Sequence, residues 1–417
     1  QMQGKDIINS TFHQLFRPIF SKNFYQQLTE LEVDKYVKKL KTDQLLKLFV
    51  NAQLEQYRGL RDISNNLNDD QFSQAINLDS ISASQLSRRL RKLNPKIVQQ
   101  LFYTLIREAN KGIGFNSLRQ TLGRLYLIDS STISLSLTRY QWAKFRKTKS
   151  GVKLHLCLNF CDGEALPEKA VVTQAKPADK TQMDALVVLN DGALNVFDRA
   201  YVDYKTFDVY CANGTRFVSR LKNNALVEVV EERPVKPESP IIKDQIVKLG
   251  KDKTTKMEHQ LRLVETKDTE GNPIIIVTND FEQEAEAIGE IYRCRWQIEL
   301  FFKWLKQHLK IKHFYGLSKE AVENQIYIAL ITYCLLMLLK SKVGYDGPLL
   351  TIKRLLSTCL HEPLSSFIKK LYHKNRGAPR VKRRINHGEI FEITLRQVIE
   401  LEADHLYDDR DYDPVIL

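Results

Sequence analysis

Apolar positions recur every three or four residues along FHQLFRPIFSKNFYQQLTELEVDKYVKKLKTDQLLKLFVNAQLEQY, from Phe12 to Tyr57, with breaks at Pro18 and at the capping residues Thr29 and Thr42. This rhythm, with few strand signals, predicts helices over residues 1 to about 120. FSQAINLDSISASQLSRRLRKLNP predicts two short helices about a tight turn, the second starting near Ser82 and ending before Pro95. Ser84, Gln85, Arg88, Arg89 and Arg91 then lie on or near one side of it. From Arg124 the pattern changes. RLYLIDSSTISL reads as a strand through Ile128 followed by Asp129, and strands follow over about Val152–Phe160 and Ala165–Thr173, joined by the turn CDGE. A helix over Asp179–Leu189, a strand Ala193–Phe197 ending at Asp198, a further helix and a strand Arg216–Leu221 complete this α/β alternation.

Residues 222–278 switch to four short strand-like segments. Next, FEQEAEAIGEIYRCRWQIELFFKWLK predicts one helix from about Asp280 to about Lys310. It places Tyr292, Arg295, Glu299 and Lys306 on one face and Ile291, Ile298, Phe302, Leu305 and Leu309 on the neighbouring, core-facing stripe. Glu320–Leu339, Pro348–Cys359 and Leu364–His373 predict helices packed on the core. The apolar run Ile326–Leu339 contains Tyr, Thr and Cys and is too short to cross a bilayer, so a buried helix is expected and no membrane.

Charge sharpens the picture. The 417 residues carry 63 Lys plus Arg against 50 Asp plus Glu, a formal +13, which favours a polyanionic partner, nucleic acid before a membrane surface. Six Cys are scattered without a CxxC pair, which suggests neither a disulfide framework nor a zinc ribbon and fits a reducing, bacterial-type cytosol. His155, Cys157 and Cys161 share a strand face and read as packing residues, because no second cluster completes a metal site. Between Arg139 and Lys153, Lys144, Arg146, Lys147 and Lys149 interleave with Tyr140, Trp142 and Phe145, a composition suited to phosphates and unstacked bases. A second basic concentration runs from Lys369 to Arg384, and an acidic end from Glu400 to Asp413 shows no motif.

Tyr292, Arg295, Glu299 and Lys306, with Trp296 and Ile298 between them, form a string that resembles the YREK signature of DDE transposases of the insertion-sequence-four family. LIDSST around Asp129, WAKFRKTKSGVKLH, and DRAY from Asp198 to Tyr201, with Ala200 in a usual glycine place, also resemble that family. The resemblance implies a ribonuclease-H-like mixed sheet with flanking helices, in which Asp129, Asp198 and Glu299 are the catalytic acids and the ligands of two Mg²⁺, with Mn²⁺ as a substitute. Tyr292, Arg295 and Lys306 would clamp DNA phosphates, and Trp142, Arg146, Lys147, Lys149, Arg88 and Arg89 are further DNA-binding candidates.

The implied organisation is a helical, helix-turn-helix-like end-binding domain (1–120), a first part of the catalytic core (121–221), a β-rich insertion (222–278), the catalytic helix and rest of the core (279–345), and a C-terminal helical, basic region (346–417). Several relatives place in the insertion a tryptophan that stacks on a flipped base, whereas residues 222–278 hold no aromatic side chain, leaving Met257 and His259 as substitutes. The implied activity is cleavage at the inverted-repeat ends of an insertion sequence and strand transfer into target DNA, by a homodimer or higher assembly on paired double-stranded ends. Two other readings share parts of this evidence: a ribonuclease-H-like nuclease or resolvase without strand transfer, and a catalytically silent DNA-binding protein.

Overall fold

The computed structural model describes residues 10–112, 124–161, 164–189, 192–251, 256–267 and 271–373. Helices come first: α1 (Thr11–Phe16), α2 (Lys22–Glu30), α3 (Thr42–Glu55), α4 (Leu60–Asn65), α5 (Asp70–Ile76), α6 (Ala83–Lys92) and α7 (Pro95–Gly112). Local chemistry sets their limits. At the start of α6 the Ser82 hydroxyl accepts the Gln85 amide N–H and the Gln85 side-chain oxygen accepts the Ser82 N–H, a reciprocal cap. Pro95 opens α7, where a missing N–H costs nothing. The terminal carbonyls of Leu90 and Leu93 accept from Asn324 Nδ2 at 2.9 and 2.8 Å, tying α6 to a helix more than 200 residues away.

Among the described residues ten strands form one sheet: β1 (Leu125–Leu135), β2 (Lys144–Arg146), β3 (Lys149–Cys161), β4 (Glu164–Gln174), β5 (Leu194–Phe197), β6 (Arg216–Arg220), β7 (Val227–Glu232), β8 (Lys243–Leu249), β9 (Leu261–Lys267) and β10 (Pro273–Thr278). Their order is β2-β3-β1-β5-β6-β10-β9-β8-β7, with β4 also paired to β3. β1, β5 and β6 run parallel and the other pairings are antiparallel. The chain crosses from β4 back to β5 through a 3₁₀ turn (Asp179–Gln182) and a single helical turn, α8 (Met183–Leu186), shorter than the helix expected over 179–189. α9 (Tyr204–Ala212) joins β5 to β6, with Asp203 capping it through the Thr206 N–H. The strands of the 222–278 region continue the core sheet through β6 and β10 instead of building a sheet of their own.

After β10 come α10 (Ala285–Cys294), α11 (Trp296–His308), α12 (Lys319–Lys342), α13 (Leu349–Cys359) and α14 (Leu364–Leu371). The single helix expected over 280–310 is therefore two. At the join the Arg295 N–H bonds the Tyr292 carbonyl and the Ile298 N–H bonds the Arg295 carbonyl, three residues apart instead of four, which tightens the turn there.

Each face of the sheet has its own core. One packs Leu127, Leu154, Leu156 and Val196 against α11, α12 and the N-terminal helices, while the other packs Tyr126, Ile128, Cys157 and Phe197 against Met183, Leu186 and Phe207. α12 is long and apolar enough to cross a membrane by length and composition, yet 89% of its apolar window is buried inside the protein. At roughly 1.5–3 kcal/mol per fully buried large aliphatic side chain, that burial makes it the central core helix. Of the basic stretch 369–384, Lys369 and Lys370 end α14, and the part from 374 onward, like the acidic end 400–413, lies outside the described residues.

Candidate active site

β1 and β5 pair in register with Ile128 opposite Phe197, so the next residues, Asp129 and Asp198, stand side by side. Asp198 follows the last residue of its strand. Asp129 does not end β1, as the alternation suggested, because pairing with β3 carries the strand on to Leu135. Asp129 is thereby held inside the β1–β3 ladder, opposite Leu156, and it points to the α11 face, where Glu299 occupies the first turn.

Arg295, at the join of α10 and α11, reaches both of these acids. Its Nη2 donates to Glu299 Oε1 at 2.6 Å and its Nη1 to Asp129 Oδ2 at 3.2 Å, while its buried Nε has no hydrogen-bond partner. The Tyr292 hydroxyl donates to Asp198 Oδ1 at 3.5 Å, and the Arg295 guanidinium sits 5.9 Å from the Tyr292 ring centroid. Five of the residues singled out on chemistry thus meet, the Arg295–Asp129 contact spanning 166 residues of sequence. Among the described residues no three His, Cys, Asp or Glu side chains converge closely enough to hold one metal ion, and Arg295 stands between Asp129 and Glu299.

The electrostatics follow from burial and from this crowding of acids. Burial pushes the Asp129 carboxyl up to about 6; the Ser130 N–H and Arg295 pull it down, and Asp198 and Glu299 push it further up. Burial also raises the Tyr292 phenol to about 12, with Arg295 and Arg220 opposing and Asp198 adding to the rise. Burial works against the charge on Arg295, but Tyr292, Glu299 and Asp129 outweigh it and the net shift is upward.

A cavity of about 460 Å³ opens beside the acids, lined by Asp129, Ser130, Glu299, Lys303, Lys306 and Lys312 among others. Lys306 projects along it, with Nζ 3.5 Å from the Thr132 carbonyl, and burial together with Lys312 lowers its pKa. Two carboxylates facing three lysines make a site that attracts phosphate on one side and a cation on the other.

The remaining candidates divide. Arg146, Lys147 and Lys149 are exposed around the β2–β3 turn, with Arg146 over the Phe145 ring. Trp142 is half-buried, and its indole N–H donates to the Leu317 carbonyl at 2.7 Å, so it braces the loop after α11. On α6, Ser84, Arg88 and Arg91 face solvent, but Arg89 turns inward and bonds Asp34, the Thr42 hydroxyl and the Leu40 carbonyl. Arg89 and the cap-bound Gln85 are therefore used within the helical region. Met257 is buried in the core and the His259 ring bonds Asp208.

The sequence reading missed Arg220, Lys303, Lys312 and Asp179. β6 pairs Ser219 with Phe197, which brings Arg220 beside Asp198, and its buried Nε has no hydrogen-bond partner. Arg220 ends a strand that carries no motif, so nothing in the sequence singles it out; the parallel register is what reveals it.

Two strand acids, Asp129 and Asp198, and the helix acid Glu299 are thus gathered around Arg295 and Tyr292. The family model described as a transposase DDE domain matches residues 120–335, and residues 8–75 match a domain of unknown function. A protein of Sinorhizobium fredii named as transposase y4zB is 33% identical over 248 residues, 58% of this chain and 68% of that one. A protein of Geobacillus stearothermophilus named as a transposase for insertion sequence element IS5377 is 28% identical over 70% of this chain and 75% of its own length. Among solved structures, a piggyBac transposase synaptic complex with hairpin DNA covers 90% of this chain and 84% of that one at 12% identity and a TM-score of 0.45, a likeness too distant to carry detail across. The chain belongs to the DDE transposase family, and its function is DNA transposition.

Proposed function

We propose that the chain cuts double-stranded DNA at the inverted-repeat ends of its own element and joins the freed ends to target DNA, using Asp129, Asp198 and Glu299 as its catalytic acids. The observation that carries this reading is the meeting of Asp129, Asp198, Glu299, Arg295 and Tyr292 at one point of the sheet beside a lysine-lined cavity. The strand order β4-β3-β1-β5-β6, with β1 beside β5, supports a ribonuclease-H-like core.

The donor set fits hard divalent cations such as Mg²⁺: all three side chains are carboxylates, and Asp129 is buried among like charges that a cation would relieve. Asp129, Asp198 and Glu299 would hold such ions, and the chemistry these would supply is activation of the attacking oxygen and charge neutralisation at the leaving one. The chain's own residues do the rest. Arg295 and Lys306 hold phosphate oxygens next to the acids, and Tyr292, protonated at neutral pH, has one O–H that either orients Asp198 or turns to a phosphate. The solvent-facing Ser84, Arg88 and Arg91 of α6 give the N-terminal region, residues 1–120, an end-binding surface, and Arg146, Lys147 and Lys149 track the strand leaving the site. One site per DNA end implies a dimer or larger assembly on paired ends, acting in the cytosol.

The test is nicking of labelled donor DNA carrying the element's ends, with Mg²⁺, Mn²⁺ or EDTA, by wild type and by Asp129→Asn. Metal-dependent nicks at the ends, absent in the variant, are the expected result. End binding without any nick in either metal would favour the silent DNA-binding reading, and nicks never followed by joining would favour the nuclease reading.

A further inference from the structure

Asp129 has a second acid behind it, on the opposite face of its strand. Side chains alternate along β1, so Asp129 points to α11 while Ser130 points to the face covered by the β4–β5 crossover. There the Ser130 hydroxyl donates to Asp179 Oδ1 at 2.8 Å. The same oxygen accepts from Lys153 Nζ at 2.8 Å and lies 3.7 Å from His155 Nδ1. Lys153 and His155 lie on the β3 positions opposite Thr132 and Ser130, so the register of the β1–β3 ladder assembles this group. Lys153 Nζ also reaches the Pro177 carbonyl at 3.4 Å, which ties down the loop that carries Asp179.

Ser130 is the link between the two faces. Its backbone N–H donates to Asp129 Oδ1 at 2.7 Å, so each of its two donors holds one of the acids. Fixing the Ser130 side chain fixes the residue whose amide aims the Asp129 carboxylate. Asp179, Lys153 and His155 are 20, 16 and 0% exposed as side chains, so the group is shielded from water that would otherwise compete for these bonds. The hydrogen bonds that lead from Asp179 toward Asp129 run through Ser130.

We infer that Asp179 is a positioning residue for the transposition reaction: through Ser130, and backed by Lys153, it sets the direction of the Asp129 carboxylate. The inference rests on the reading of Asp129 as a catalytic acid.

The experiment measures end nicking, end-DNA affinity and thermal melting for wild type, Asp179→Asn, Asp179→Glu, Ser130→Ala and the Asp179→Asn/Ser130→Ala double variant. Asp179→Asn is expected to lower the nicking rate at saturating DNA at least tenfold, with affinity for the ends unchanged within twofold. Ser130→Ala should fall in the same direction, and the double variant should be no slower than Asp179→Asn alone, because both act through one link. Asp179→Glu should recover part of the loss.

Nicking by Asp179→Asn at the wild-type rate would overturn the inference. So would additive losses in the double variant, or a rate loss matched by an equal loss of DNA affinity and melting temperature, which a purely structural acid would give. A wild type that never nicks would be a different failure: it removes the catalytic reading of Asp129, and the inference falls with it.

Discussion

Arg295 and Arg89 are shielded almost equally, with 14 and 12% of their side chains exposed, and both pair with acids from elsewhere in the chain. They differ in what is left over. The fork of Arg89 is matched by one carboxylate, one hydroxyl and one carbonyl, all of which close the loop before α3 onto α6. Arg295 faces two carboxylates with a third nearby, keeps an unpartnered Nε, and borders a cavity. A satisfied fork locks a fold; a fork among surplus acids, with an orphan donor, marks a place where charge is handled.

The largest expected effect tests the surplus acids. Glu299→Gln keeps the shape and the contact with Arg295 but removes one charge, and end nicking should drop by at least about a thousandfold while end binding and melting stay near wild type. Arg295→Ala should come next, lowering nicking about a hundredfold, since one preorganised cation beside the phosphate is lost. If it instead left nicking intact, the two arginines would be alike after all.

Arg89 should behave in the opposite way. Arg89→Ala leaves Asp34 partly buried and unpaired, so it should cost about 2 kcal/mol of stability, read from melting or denaturant titration. Arg88→Ala should leave stability unchanged and reduce the slope of log affinity against log salt by about 1, the signature of one lost phosphate contact. Reversed outcomes for this pair would exchange their assignments.

His155, behind the site, leaves the reaction untouched at neutral pH and shows only in acid. Burial lowers its pKa from 6.5 to about 4. The unfolded chain therefore binds the extra proton first, so this histidine's contribution to stability is complete above pH 6.5 and is lost as pH falls from 6.5 toward 4. The slope is at most about 1.4 kcal/mol per pH unit. Asp129, raised to about 6, acts in the opposite sense, favouring the folded state as pH falls through the same window. Melting curves of His155→Gln should therefore show a weaker acid destabilisation than wild type between pH 6.5 and 4.

Much of this site was legible in the sequence because its spacing and its strand endings are local. Tyr292, Arg295 and Glu299 are separated by one helical turn each, and Asp198 sits where a buried strand stops. The reading of one straight helix failed at Arg295, where a three-residue hydrogen bond redirects the chain without any Gly or Pro to announce it. Asp179 was illegible for a different reason: its partners are two strands and a turn brought together by register, and in sequence it resembles an ordinary cap after Pro177. Basic residues on α6 could be placed on a helix but not sorted, since whether Arg89 or Arg88 faces inward depends on Asp34, 55 residues away. The strands of 222–278 were visible as strands, but which sheet they joined depends on a pairing of β6 with β10 that alternation does not encode.

The most direct test of the account is anomalous scattering from crystals of the wild-type protein soaked in Mn²⁺. Strong peaks are expected within ligand distance of the Asp129, Asp198 and Glu299 carboxylates, with their loss in Asp129→Asn. Manganese bound elsewhere, or peaks that persist in the variant, would contradict the claim that these three acids form the catalytic centre.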